Sequence, residues 1–111
     1  MDKLAEYRNI IKSIVKKYGS FQSSIGNVET YSVCDEGNDN YLVVDVGWLA
    51  FGRQHAMPIH IRIKNEKVWV EWDGTDQEIV QQLIDNGIPE NDIILGFEKP
   101  LEFTENELIA A

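Results

Sequence analysis

The chain holds a single cysteine, Cys34, three prolines and no long apolar run. One cysteine cannot close an internal disulfide, which agrees with a reducing compartment and leaves Cys34 as an inert strand residue. The longest apolar runs, such as Tyr41 to Val44 and Ile93 to Leu95, fall far short of the ~20 residues that a membrane helix needs. The opening Met1-Asp2-Lys3-Leu4 leads straight into a helical pattern without the apolar core of a signal peptide, so the chain reads as cytoplasmic. Positive charge is scarce, with ten basic against nineteen acidic residues and a formal charge of −9. Such a field repels phosphate backbones and attracts basic surfaces, which argues against autonomous DNA binding. The basic run Lys12, Lys16 and Lys17 shares its helix with Asp2 and Glu6 and reads as a solvated face.

Catalytic and cofactor signatures are also missing. A hydrolase needs a nucleophile, a base and an orienting group within hydrogen-bond reach, and Cys34, His55, His60 and the scattered carboxylates do not converge. His55 and His60 stand five apart, which places them on opposite faces of a regular strand unless a bulge forms near Pro58. No zinc spacing is present, and neither G-x-G-x-x-G nor the Walker pattern occurs. The expectation is therefore no enzyme, no metal and no cofactor. The polar stretch Asp35-Glu36-Gly37-Asn38-Asp39-Asn40 lacks the spaced carboxylates and flanking helices of a calcium loop and reads as a solvated hairpin tip.

What is present suits one α+β domain over residues 1–111, which buries roughly 65% of the surface its unfolded chain would expose. Leu4, Tyr7, Ile11, Ile14, Val15 and Tyr18 recur at three- and four-residue intervals, predicting a helix from about Asp2 to Tyr18 that Gly19 stops. After a Ser- and Gly-rich connector, Val28 to Cys34 and Tyr41 to Leu49 read as strands. Met57, Ile59, Ile61 and Ile63, then Val68, Val70 and Trp72, alternate with polar residues as an antiparallel hairpin. A turn at Asn65-Glu66 sets Ile63 against Val68, Ile61 against Val70 and Ile59 against Trp72 on an apolar face. The same register sets Arg62 against Trp69, as a guanidinium stacked on an indole, and His60 against Glu71. Thr75 and Glu78 form a capping box for a second helix whose buried stripe is Ile79, Val80, Leu83 and Ile84. Gly87 suits the left-handed position beyond it, and Pro89 prevents continuation. One helical turn over Pro89 to Asp92 follows, and Ile93 to Phe97 is either a short strand or an apolar loop. The tail from Pro100 to Ala111 is expected to pack on the domain or on a neighbour. The expected architecture is an N-terminal helix, a four-stranded antiparallel meander, then a second helix and short C-terminal elements, with helices on one sheet face.

Several pieces in this order and spacing resemble the XisI-type family of fdxN element excision controlling factors over nearly the whole chain. They are Asp2-Lys3-Leu4, Tyr7-Arg8, Ile10-Ile11, Val46-Gly47-Trp48, His60-Ile61 with Ile63-Lys64, Lys67-Val68-Trp69-Val70, Asp73-Gly74-Thr75 and Gly87-Ile88-Pro89. Asp92-Ile93-Ile94-Leu95-Gly96-Phe97 is the most distinctive. Gln54-His55-Ala56 departs from the pattern where a basic residue with a Tyr-Gly is expected, as does Asp76 where Glu is usual, which weakens any basic contact near Arg53. The resemblance implies a cyanobacterial accessory role in programmed excision of a DNA element during heterocyst differentiation. It also implies a companion accessory protein and a site-specific recombinase as partners, the recombinase performing the strand exchange.

The polar sheet face, with Arg53, His60, Arg62, Trp69 and Glu71, is the candidate protein-binding patch, the alternative being that the carboxy-terminal tail covers Trp69. Partners are expected to be proteins, a second copy of the chain among them, with neither nucleic acid nor membrane bound directly. Two alternatives stand beside a protein-binding regulator. One is a direct DNA-binding architectural factor using Arg53, Arg62 and the amino-terminal lysines. The other is an antitoxin-like inhibitor that presents carboxylates to a nuclease where phosphates would lie.

Overall fold

Apolar side chains at three- and four-residue intervals produce α1 (Lys3–Gly19), which buries Tyr7, Ile11, Ile14, Val15 and Tyr18 along one stripe. Asp2 caps its start by accepting the Leu4 N–H at 3.0 Å. Gly19 is the last helical residue rather than a left-handed stop, and Ser20 is the C-cap. Its absent side chain matters for another reason: a Cβ there would lie 2.6 Å from the Ser32 backbone nitrogen. Glycine lets the helix end seat directly on the first strand. The computed structural model describes residues 2–20 and 27–98; the connector and the Pro100 to Ala111 tail lie wholly or largely outside the described residues.

Strands β1 (Asn27–Asp35), β2 (Asn40–Leu49), β3 (Gly52–Lys64) and β4 (Lys67–Asp73) follow, then α2 (Ile79–Asp85), a 3-10 turn (Glu90–Asp92) and β5 (Ile93–Leu95). The sheet order is β1-β2-β3-β4-β5. The expected antiparallel meander is present, and the segment left open in the sequence adds a fifth strand parallel to β4, pairing Trp69 with Ile94. No described helix is long and apolar enough to cross a membrane.

The β3–β4 turn forms at Asn65 and Glu66, both with positive φ (54° and 63°), as a two-residue hairpin of this twist requires. Ile63 pairs with Val68, Arg62 with Trp69 and Ile61 with Val70, as expected. Beyond Ile61 the register shifts, so His60 opposes Trp72 and Ile59 opposes Asp73. The expected pairs Ile59–Trp72 and His60–Glu71 therefore do not form. Glu71 is an extra residue in β4, a bulge that turns Trp72 away from the core. A second shift lies between β2 and β3, where Val43 pairs with Ile59 but Asp45 pairs with Ala56. The extra residue falls at Met57-Pro58, where proline cannot donate to a ladder.

α2 begins later than its sequence suggests. Thr75 and Glu78 make no reciprocal box, and Glu78 takes a left-handed conformation with φ 53°. Asp73 supplies the cap instead: one oxygen accepts from the Thr75 amide (2.9 Å) and hydroxyl (2.6 Å), the other from the Ile79 amide (3.4 Å). At the far end Gly87, φ 116°, closes the helix as expected, with its N–H reaching the Ile84 carbonyl and that of Ile88 the Leu83 carbonyl.

Both helices cover one face of the sheet. Tyr41, Val43, Ile59, Ile61, Ile63, Val68 and Val70 meet the α1 stripe, Ile79, Leu83 and Ile88 there in a single core. The hairpin tip is less solvated than expected. Glu36 is ion-paired to Lys12, and Asp39 accepts from Arg8 (2.8 and 3.2 Å) and the Tyr41 hydroxyl (2.8 Å). Carboxylates engaged in this way tie the tip to α1, and Lys12 belongs to that clamp rather than to a solvated run. Lys16 and Lys17 remain exposed.

Candidate protein-binding face

Strand alternation sends every second residue to the side that no described helix covers. Cross-strand partners share a face, so the register puts Tyr31 and Val33 of β1 with Val44 and Leu42 of β2, and Leu42 with His60 of β3. Arg62, Trp69 and Ile94 continue the row across β3, β4 and β5. Trp48 and Arg53 stand on the same side at one end. Several apolar residues are more exposed than a core would allow, including Trp48 at 60% and Trp72 at 51%. The Phe97 ring meets Trp72 edge-on, with centroids 6.0 Å apart. A hollow of about 310 Å³ at the Pro58 bulge is lined by Val44, His55, Ala56 and Met57.

The structure gathers four of the five expected residues. Arg62 donates to Glu71 at 3.2 Å, so its guanidinium does not stack on Trp69. The cation over that indole is Lys64, 5.6 Å from the ring centroid, and the indole N–H donates to the Lys64 carbonyl at 3.2 Å. His60 meets Asn40 across β2, with Nε2 3.0 Å from Oδ1, rather than Glu71. Burial holds its pKa below the ordinary imidazole value, although the nearby Glu71 charge pulls the other way. Arg53 is separate, seven residues along β3 or roughly 20 Å at strand rise. It lies over the Trp48 ring at 5.6 Å and donates to the Gly47 carbonyl at 3.3 Å.

The bulge near Pro58 does bring His55 and His60 to one side of the sheet, opposite Val46 and Leu42. Those partners stand four residues apart, roughly 13 Å, and among the described residues no group of three or more His, Cys, Asp or Glu could hold a metal ion. Cys34 is half-buried, and burial raises its thiol pKa, which keeps it a poor nucleophile near neutrality. Sequence reasoning missed Trp72, assigned to the core because its alternation continues that of Val68 and Val70. The signal against it is the polar run that encloses it, Glu71 before and Asp73-Gly74 after. It also missed Trp48 as part of this face, since a strand pattern alone does not say which side is covered.

On the opposite side, scattered family-like pieces meet at one carboxylate. Asp92 of the 3-10 turn accepts one hydrogen bond from the Tyr7 hydroxyl, a second from Lys67 at 2.9 Å, and lies 3.4 Å from the Lys3 ammonium. The Tyr7 bond, then Lys67 and Lys3, hold this carboxyl well below the usual range. Burial, then Asp92, pushes the Tyr7 phenol up to about 12. Lys3, Tyr7, Lys67 and Asp92 thus lock α1, β4 and the turn together, which gives four of the quoted pieces a common structural reason.

The family model described as XisI protein matches residues 1–107. A crystal structure of the fdxN element excision controlling factor XisI from Anabaena variabilis ATCC 29413 is similar at 39% identity, with 89% of this chain and 96% of that chain covered and a TM-score of 0.77. A XisI-like protein from the same organism is similar at 32% identity, with 88% and 90% covered and a TM-score of 0.82. No curated protein matches.

Proposed function

The chain belongs to the XisI family, and from that premise we propose that it is a non-enzymatic controlling factor for programmed excision of a DNA element, acting by binding a companion protein. The observation that carries this reading is the 39% identity, across 89% of the chain, to a protein named as an excision controlling factor. Charge supports the mode of action. A domain of formal charge −9 is drawn to a basic, DNA-acting protein and repelled by DNA itself. The division of labour follows: the recombinase breaks and rejoins strands, and this domain changes when or in which direction it does so.

The test is co-expression with the neighbouring companion protein, affinity capture at moderate salt, and an excision assay on a plasmid bearing the element and its recombinase. A stoichiometric complex and excision that depends on this chain are expected. The proposal fails if the chain elutes alone and retards DNA by itself, which would make it a direct DNA binder. Rescue of growth from a toxic neighbouring product, with no effect on excision, would instead make it an inhibitor of a nuclease.

A further inference from the structure

We infer that the open face of the sheet is a contact between two copies of this chain, a surface separate from the acidic sides offered to a basic companion. The first support is charge. The open face carries Arg53, Arg62 and Lys64 against Glu29, Asp35 and, through its bond to Arg62, Glu71, while Lys67 of the same register is drawn away to Asp92, a balance of signs within a chain whose formal charge is −9. Among the described residues the excess carboxylates therefore lie on the other surfaces. Two like copies repel wherever those surfaces meet, and this face is where they can approach without setting acid against acid. A balanced patch is also what a two-fold contact needs, since it must complement itself, the arginines of one copy meeting the acids of the other.

The second support is area. Five strands about 4.8 Å apart, and about 25 Å long in the middle of the sheet, present roughly 500 Å² per copy. Two copies then bury on the order of 1,000 Å², the threshold of a specific interface. The composition fits as well: Tyr31 (40%), Val33 (38%), Met57 (41%) and Trp72 (51%) are exposed around half-buried Leu42, Val44 and Ile94. Aromatics, Met and Arg are the residues that interface centres favour. The inference depends on the face alone and would survive failure of the excision reading.

Light scattering coupled to size exclusion, from low micromolar to several hundred micromolar, tests it on the full chain. The expected result is a species of twice the chain mass, whose dissociation constant rises at least tenfold in Val44→Glu, with unchanged far-UV circular dichroism. Trp72→Ser, at an exposed position, should weaken the dimer similarly and keeps the test decisive if Val44→Glu fails to fold. A wild-type chain that stays monomeric throughout overturns the inference. So does a dimer that survives both substitutions, because it would be joined through the free edge of β1 instead.

Discussion

Neighbouring residues of β2 and β3 meet opposite fates across the thickness of one sheet. Tyr41, Val43, Ile59 and Ile61 are sealed beneath α1 and α2, while Leu42, Val44, His60 and Arg62 stay half-exposed on the far side. The covered side is held by apolar packing and closed at its margins by Asp39 and Asp92, each satisfied by partners from other elements. The open side has weaker, local links, Arg62 to Glu71 and His60 to Asn40, and carries large apolar side chains with little among the described residues to cover them. Stability belongs to the first face, and the second is the one we propose for recognition, because an exposed aromatic adds little to folding but much to an interface.

The sharpest way to break that division is Ile61→Ala on the covered face. It should cost about 2–5 kcal/mol, measured by urea unfolding, since a fully buried side chain leaves a cavity that cannot fully collapse. A loss under about 1 kcal/mol would mean that the helices do not carry the stability. Removing the Tyr7 hydroxyl by Tyr7→Phe should cost about 1.5–3 kcal/mol, as it deletes one hydrogen bond to a charged acceptor at the margin. Gly87→Ala should lose about 1 kcal/mol through backbone strain alone, because no atom lies within 4 Å of where the new Cβ would sit. At the small end, Trp48→Ser on the open face should change monomer stability by no more than about 0.5 kcal/mol, its indole being 60% exposed. A larger loss would show that the open face also contributes to folding.

Acid titration separates the faces by a different route. Asp92 and Asp39 have folded-state pKa values below their ordinary ones, Asp92 chiefly through Tyr7 and Asp39 chiefly through Arg8. Their stabilisation is present above about pH 4 and is lost as pH falls through the folded values. His60 is also depressed, by burial, so its protonation opposes folding as pH drops below about 6.5. The melting temperature should therefore fall in two stages, a shallow one from the open face and a steeper one from the covered margin. Asp92→Asn should flatten the steeper stage, and a variant whose acid limb overlays the wild type would remove Asp92 from this account.

Much of the covered face could be read from the chain alone. The α1 stripe, the Asn65-Glu66 turn and the Gly87 stop are local patterns in which each residue's chemistry speaks for its own conformation. The failures share a cause, which is that they depend on partners distant in sequence. Nothing within β4 marks Glu71 as the extra residue, since the bulge is defined only against His60 and Ile61. The α2 cap moved to Asp73 because its carboxylate reaches both Thr75 and Ile79, and Glu78 then fell outside the helix. β5 is three residues long and pairs parallel to β4, so no local alternation could announce it. At the candidate site, Arg62 and Trp69 were placed opposite each other correctly. Their contacts were not, because Glu71 and Lys64 compete for the same groups.

The Asp92 junction also bears on the order in which the domain can be completed. Tyr7 and its acceptor are 85 positions apart, and synthesis runs at roughly 5–20 residues per second. The first helix to leave the ribosome therefore waits several seconds for the residue that fastens it. Until then the apolar stripe of α1 has neither its lock nor a finished sheet to lie on. A nascent chain arrested before residue 92 would hold that helix loosely, and its release marks the earliest moment at which the covered face can close.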